Sequence, residues 1–141
     1  AETLGAAATV NASSEDAVEK ILELTGGEGV DGVFETAGSR ITTQQTAQLV
    51  KRGGVVTLVG MSANPVFEYN FGLLQNKEAT IRTVFRYRNL YPTAIRLVTE
   101  GGIPLKKIVT NRYSFDEIPR ALEESITDKA RIVKSVIHVS D

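Results

Sequence analysis

Polar side chains that can bind or transform a small molecule stand at three places in this chain of 141 residues. Glu35 follows an apolar run, and a carboxylate held at a strand end is suited to acid–base chemistry. Arg86 and Tyr87 follow a second apolar run, where a guanidinium and a phenol supply donors for hydroxyl-rich or anionic groups. His138 provides the one imidazole of the sequence. These residues define the chemistry that the fold would have to position.

Each of these side chains also has a purely structural interpretation. Glu35 is favoured as a strand-end acid whose oxygens accept hydrogen bonds from nearby backbone N–H groups. Arg86 and Tyr87 are equally compatible with a solvated surface pair. His138 stands in an apolar C-terminal segment, so a packed or edge-exposed ring is favoured over a general base.

The segments that precede the polar residues are typical of strands in a parallel sheet. Residues 55–59 are apolar at consecutive positions, which predicts a strand buried on both faces, and this run stops at Gly60. Residues 30–38 repeat the pattern, an apolar strand that ends in small and polar residues. Ligands of open α/β sheets bind at the carboxyl ends of the strands. We therefore expect the functional edge of the protein at these strand ends.

Strands and helices alternate along the first hundred residues, which predicts right-handed βαβ units and an α/β fold in three layers. Lys51 and Arg52, followed by two glycines, predict the end of a helix over residues 42–50. Predicted strands span residues 7–11, 30–35, 55–59, 79–87, 107–113 and 131–139. Four other helices are predicted. The first begins after a cap at Ser13 or Ser14, and the second spans residues 71–76. The third begins at Pro92, and the fourth follows a capping box at residues 114–117.

Composition excludes several classes of function. The net charge is −1 with both signs interspersed, which argues against nucleic acid or a membrane surface as a partner. No apolar run approaches the ~18 residues that cross a bilayer, and no signal core is visible at the N-terminus. We therefore expect a cytoplasmic protein. With no cysteine and one histidine, the chain offers no thiolate site for a metal ion.

The glycines do not form a phosphate-binding motif. Residues 26–29 follow a helix and precede a strand, the reverse of the order that aims helix N–H groups at a phosphate. The G-x-G-x-x-G spacing at residues 27–32 leads from a helix into a strand, so it is not the turn between a strand and a helix that binds a phosphate. The first five residues resemble a last helical turn stopped by glycine, so we expect a piece of a longer protein with its N-terminal part truncated.

Three motifs together resemble the C-terminal half of the zinc-dependent medium-chain dehydrogenases. They are Glu-Thr-Ala-Gly at residues 35–38, Arg-Gly-Gly-Val-Val-Thr-Leu-Val-Gly at residues 52–60, and Phe-Arg-Tyr-Arg-Asn-Leu-Tyr-Pro at residues 85–92. The third motif is typical of the polyol branch, the sorbitol and xylitol dehydrogenases. The resemblance implies a partial Rossmann-type doubly wound parallel sheet over residues 1–105. Residues 106–141 would return to the catalytic domain of the parent enzyme.

The resemblance also implies roles for individual residues. The turn after the fifth strand of the family lies along the nicotinamide of NAD(P), where a glycine lets backbone approach the ligand. The segment after the sixth strand touches the nicotinamide end and the polyol, which assigns Phe85 to the cofactor and both Arg86 and Tyr87 to substrate and cofactor. The remaining implied cofactor residues are Thr36, Ala37, Gly38, Val59, Gly60, Met61 and, near the pyrophosphate, Lys134.

The family's zinc ligands belong to the N-terminal catalytic domain, so the resemblance implies no metal ligand and no catalytic residue in these 141 residues, and an inactive fragment. The parent reaction would transfer hydride between a polyol and NAD(P). Two alternatives remain open: a zinc-free quinone or enoyl reductase of the same superfamily, and a catalytically silent α/β module. We also expect a homo-oligomer formed through the edge strands.

Overall fold

The computed structural model of the protein describes residues 1–140 and divides the chain into two compact units. The first, here called the three-stranded unit, comprises residues 7–86. The second, here called the two-stranded unit, comprises residues 1–6 and the chain from Tyr87 onward. Asp141, the last residue of the predicted C-terminal segment, lies outside the described residues. The division predicted at residue 105 concerns the parent enzyme and stays a prediction.

The three-stranded unit contains a parallel sheet in the order β1-β2-β3. Its central strand is β2, which confirms an interior strand at residues 55–58; the strand begins earlier than predicted, at Val50, and ends one residue before Val59. Its helices and strands, in chain order, are α1 (Ala17–Leu24), β1 (Val30–Glu35), α2 (Arg40–Leu49), β2 (Val50–Leu58), α3 (Phe71–Lys77) and β3 (Thr80–Thr83).

The core of the three-stranded unit lies between the sheet and helices α2 and α3. Its buried members are Ala47 of α2, Val50 and Val56 of β2, and Leu74 of α3. The Thr46 hydroxyl, also buried, lies 2.7 Å from the Tyr69 hydroxyl, so the polar atoms at this level are satisfied. This packing fixes the start of α2 and the ends of the strands relative to one another.

The C-terminal end of α2 differs from the prediction. Helix α2 ends at Leu49, and residues 51 and 52 lie inside β2 because Val50 is fully buried and pairs with Val30. The cation that stabilises the end of the helix comes instead from α3. The Lys77 ammonium donates to the carbonyl oxygens of Ala47, Gln48 and Val50 at 3.0, 2.8 and 2.6 Å.

The strand predicted at residues 7–11 is wrong, because this segment is irregular. The Asn11 side chain accepts hydrogen bonds from the backbone N–H and the hydroxyl of Ser13, at 3.1 and 2.7 Å. Such a local turn competes with strand pairing. The predicted serine cap is also wrong: Asp16 caps α1, accepting from the N–H groups of Val18 and Glu19 at 2.8 and 3.0 Å.

The two-stranded unit contains a parallel pair of strands, and its buried residues are Tyr113 of a strand and Ala121 of a helix. The predicted capping box between Ser114 and Glu117 is confirmed, while β3 and the last strand, Lys134–His138, are shorter than predicted. Its elements are α4 (Tyr91–Thr99), β4 (Val109–Ser114), α5 (Ile118–Thr127) and β5 (Lys134–His138), with 3-10 turns at Glu2–Leu4, Leu105–Ile108 and Phe115–Glu117. Among residues 1–140, every helix is too short or too polar to cross a membrane.

Candidate functional site

Glu35 organises the carboxyl end of β1. Its side chain is buried, and Oε1 accepts hydrogen bonds from the backbone N–H groups of Ala37 and Gly38, both at 2.9 Å. The Thr42 hydroxyl donates to the same oxygen at 2.7 Å. The structural interpretation of this residue is therefore confirmed: it is a strand-end acid whose carboxylate accepts hydrogen bonds from nearby backbone N–H groups, together with the Thr42 hydroxyl.

The turn after β2 is joined to the turn after β1 through Glu35 and two glycines. The backbone N–H groups of Val59 and Gly60 donate to the Glu35 carbonyl oxygen at 2.8 and 2.9 Å. A Cβ atom at Gly60 would lie 2.6 Å from the Cα atom of Gly38 and 2.7 Å from Glu35 Oε2. At Gly38, where φ is +66°, a Cβ atom would lie 2.5 Å from the Met61 carbonyl oxygen. The chain's own backbone therefore requires glycine at both positions.

The outward surface of these two turns consists of the predicted cofactor residues. Thr36 and Ala37 are exposed, Val59 is 38% exposed, and Met61 is 73% exposed. A cleft of about 670 Å³ opens beside Met61, where the loop after β2 faces the first residue of α2. Its lining residues are Arg40, Ser62, Asn64, Val66, Phe67 and Glu68. The edge thus offers apolar and small polar surface next to a space of ligand size.

The segment after β3 lies at the same edge of the sheet. Val84 donates from its backbone N–H to the Leu58 carbonyl oxygen at 2.9 Å, which extends the contact with β2 beyond the last strand residue. Phe85 is 70% exposed, and the Arg86 guanidinium carbon lies 4.9 Å from the centre of its ring. Among residues 1–140 the Arg86 guanidinium has no hydrogen-bond partner. Its donors are therefore available to a ligand.

Three further candidates belong to the two-stranded unit. Tyr87 is 70% exposed, and its ring packs edge-on against Tyr91 with the ring centres 5.6 Å apart. Lys134 begins β5 with an exposed side chain, while its backbone N–H and carbonyl bond the Thr110 hydroxyl. His138 ends the same strand and is exposed, as one of its two structural interpretations predicts. The roles predicted for Tyr87 and Lys134 stay predictions.

Zinc does not fit the residues that the structure describes. Within the described range, 1–140, no group of three or more His, Cys, Asp or Glu side chains is arranged to hold a metal ion. The Glu35 carboxylate is engaged by its hydrogen bonds with Ala37, Gly38 and Thr42. No step of the reaction is therefore assigned to a metal held here.

Sequence reasoning missed the first turn of α2. Ser39 caps this helix by accepting from the Thr42 N–H at 3.1 Å, and the two hydroxyl oxygens lie 2.8 Å apart. The signal was present, since a serine that precedes a helix by one residue is a preferred cap. The bond from Thr42 to Glu35 spans seven positions and depends on how the helix returns to the sheet.

Comparison with known proteins identifies the family of the chain. The family model described as zinc-binding dehydrogenase matches residues 1–100. An uncharacterized zinc-type alcohol dehydrogenase-like protein of Escherichia coli is 42% identical over 141 residues, 100% of this chain and 40% of that protein. Sorbitol dehydrogenase of Bacillus subtilis is 31% identical over 138 residues, 98% of this chain and 39% of that protein. The chain thus spans about 40% of the length of these relatives.

Solved structures agree with the predicted fold. A crystal structure of an Escherichia coli oxidoreductase/dehydrogenase of unknown specificity matches with a TM-score of 0.88 and 41% identity, over 99% of this chain and 40% of that chain. A Sinorhizobium meliloti protein described as a zinc-binding dehydrogenase, bound to NADP, matches with a TM-score of 0.77 and 31% identity, over 86% of this chain and 36% of that chain. The α/β fold predicted from the sequence, of the Rossmann type found in these dehydrogenases, is confirmed. The chain belongs to the zinc-binding dehydrogenases.

Proposed function

We propose that this chain supplies the nicotinamide side of the cofactor cleft in a zinc-type polyol dehydrogenase that uses NAD(P). The observation that carries the proposal is the edge formed by the ends of β1, β2 and β3. The turns at residues 36–38 and 59–61 are in backbone contact there, and the segment after β3 continues from the same edge. Parallel α/β sheets bind their ligands at this end.

The cofactor would be held by the outward residues of that edge. The exposed side chains of Met61 and Phe85 offer apolar surface for the nicotinamide ring, and Thr36 offers a hydroxyl. NAD(P), when bound, supplies the hydride acceptor or donor for the reaction of the whole protein. The zinc ion of a dehydrogenase of this type would be held by a part of the protein outside these residues, since no metal-binding group exists among residues 1–140.

The polyol would be recognised by the donors that follow β3. The Arg86 guanidinium lies against the Phe85 ring and has no hydrogen-bond partner among residues 1–140, so that it can donate to hydroxyl groups next to the nicotinamide. The match with a sorbitol dehydrogenase supports a polyol rather than a simple alcohol as the substrate. Tyr87, the next residue of the chain, would add a phenol donor. A zinc-free reductase has no need of polyol-directed donors there, and nothing among the described residues favours that alternative.

Replacing Arg86 with alanine in the whole protein that contains this chain tests the proposal. The variant loses charge-assisted hydrogen bonds worth about 1.5–3 kcal/mol, which corresponds to a ~10- to 150-fold lower kcat/KM for sorbitol or xylitol. NADH affinity, followed by nucleotide fluorescence, should change much less. The matched control is Arg82→Ala, which removes an exposed arginine from β3 itself. Unchanged polyol kinetics in Arg86→Ala would leave this residue as surface and overturn its role in polyol recognition.

A further inference from the structure

Glu35 is a buried carboxylate to which the proposed function assigns no role. Glu35 is 4% exposed, although burying a charged side chain without a partner costs free energy. Among residues 1–140 it forms no ion pair with lysine, arginine or histidine. Its charge is compensated by hydrogen bonds and by the start of a helix, both of which belong to the candidate cofactor edge.

The hydrogen bonds of Glu35 connect three segments. Oε1 accepts from the backbone N–H groups of Ala37 and Gly38 in the turn after β1. The same oxygen accepts from the Thr42 hydroxyl in the first turn of α2, next to the positive end of the helix. The Glu35 carbonyl oxygen accepts from two N–H groups of the turn after β2, at 2.8 and 2.9 Å. One residue therefore links both turns of the edge to the helix.

These bonds decide which groups the first turn presents outward. The N–H groups of Ala37 and Gly38 are directed at the carboxylate, so they are not available to a ligand. The side chains of Thr36 and Ala37 remain exposed instead. The carboxylate also places negative charge beside the first turn of α2, through its bond with the Thr42 hydroxyl, and this charge disfavours a phosphate group close to the turn. The turn is thus arranged for an uncharged part of a ligand.

We propose that Glu35 is a positioning residue for the nicotinamide end of the cofactor, an inference that rests on the proposed function. Its carboxylate holds the turn at residues 36–38 against the first turn of α2, while its backbone carbonyl oxygen holds the turn at residues 59–61. Together these bonds shape the surface that the cofactor meets. Removing the charge weakens the bonds to the two amides and to Thr42, so that the turn at residues 36–38 is no longer held in one position. The cofactor site then loses its preformed geometry, while the strands and the core keep their packing.

The test is Glu35→Gln in the whole protein. An amide keeps one acceptor oxygen but places an NH2 group where Oε2 lies 3.2 Å from the Gly38 N–H, so two donors face each other. We expect the dissociation constant of NADH or NADPH to rise about tenfold or more. We also expect faster hydrogen exchange at the Ala37 and Gly38 amides, with unchanged exchange in α3. The matched control, Glu28→Gln, neutralises an exposed acid before β1 and should change neither quantity.

A second pair of variants keeps the test decisive if Glu35→Gln does not fold. Thr42→Val removes the donated hydroxyl and should weaken NAD(P)H binding, whereas Thr42→Ser keeps the hydroxyl and should restore it. If the wild-type protein binds neither NADH nor NADPH, both the proposed function and this inference fail. If the wild type binds and the folded Glu35 and Thr42 variants bind equally well, the positioning role alone fails. A loss of stability with unchanged affinity and unchanged exchange also overturns it.

Discussion

At the scale of single residues, the turn glycines illustrate how one residue type can satisfy two requirements. The family resemblance explains Gly60 by the approach of a cofactor. In the structure, a Cβ atom added at Gly60 would collide with Gly38 and Glu35 of the chain itself. The internal contact is a requirement of the fold and acts whether or not a ligand is bound. A substitution at this position therefore acts first on stability.

Gly60→Ala is expected to destabilise the three-stranded unit by roughly 1–3 kcal/mol, because the added methyl group overlaps backbone atoms that cannot rotate away. Urea unfolding followed by circular dichroism measures this loss. Gly72→Ala, in α3, is the matched control. A Cβ atom at Gly72 would meet only the side chain of Asn70, at an ordinary contact distance of 3.6 Å. It should be neutral or stabilising by up to about 1 kcal/mol. Equal stability of both variants would contradict the contact.

At the scale of elements, the start of α5 shows a local motif that works as its sequence predicts. The Glu117 carboxylate accepts from the Ser114 backbone N–H at 2.9 Å and from the Ser114 hydroxyl at 3.1 Å. These two hydrogen bonds, with a smaller contribution from Arg120, lower the pKa of Glu117 below its ordinary value of 4.5. The box therefore stabilises the folded chain through the charged form of the acid.

The lowered pKa of Glu117 predicts how the stability of the folded chain depends on pH. Because the folded pKa is the lower one, the contribution of Glu117 is complete above the unfolded value of 4.5 and is lost as the pH falls through the folded value. Between neutral and acid pH, the melting temperature measured by thermal unfolding should therefore fall less in Glu117→Gln than in the wild type. Glu123→Gln, on the exposed side of α5, should leave the decline unchanged. Parallel pH profiles for wild type and Glu117→Gln would exclude the linkage.

At the scale of the whole molecule, the edges of the sheet argue for association between copies. Strands β1 and β3 are the outer strands of the three-stranded sheet, so each leaves one row of backbone groups unpaired within residues 7–86. Such edges are templates for pairing with another chain. The Val84 N–H donates to the Leu58 carbonyl oxygen of β2. Because successive N–H groups of a strand point to opposite sides, the Thr83 N–H points away from β2. We propose that β3 pairs with its copy in a dimer.

Thr83→Pro tests this association, because proline removes an outward N–H group from an edge strand where it is tolerated. The wild-type protein should show a dimeric mass by light scattering at tens of micromolar, and the proline variant a monomeric mass with an unchanged circular dichroism spectrum. Thr83→Ala keeps the N–H group and should remain dimeric. A monomeric wild type, or a dimer that survives the proline, would contradict pairing through β3.

The sequence by itself determined the features that depend on neighbouring residues. The apolar run before Gly60 predicted the central strand, Ser114 and Glu117 predicted the capping box, and the motif at residues 85–92 indicated the dehydrogenase family that the comparisons show. Each of these signals lies within a few positions of the feature that it predicts. Side-chain periodicity and capping chemistry are local properties, and they can be read without the fold.

Only the tertiary structure decided which distant groups complete these elements. Lys77 stabilises the end of α2 from 27 to 30 positions away, where the sequence favoured the adjacent Lys51 and Arg52. The bond from Thr42 to Glu35 and the contact between Gly38 and Gly60 exist because β1, β2 and α2 end at one edge. A parallel sheet brings together strand ends that the chain keeps twenty or more residues apart. The candidate site is therefore a property of packing, and local sequence patterns cannot specify it.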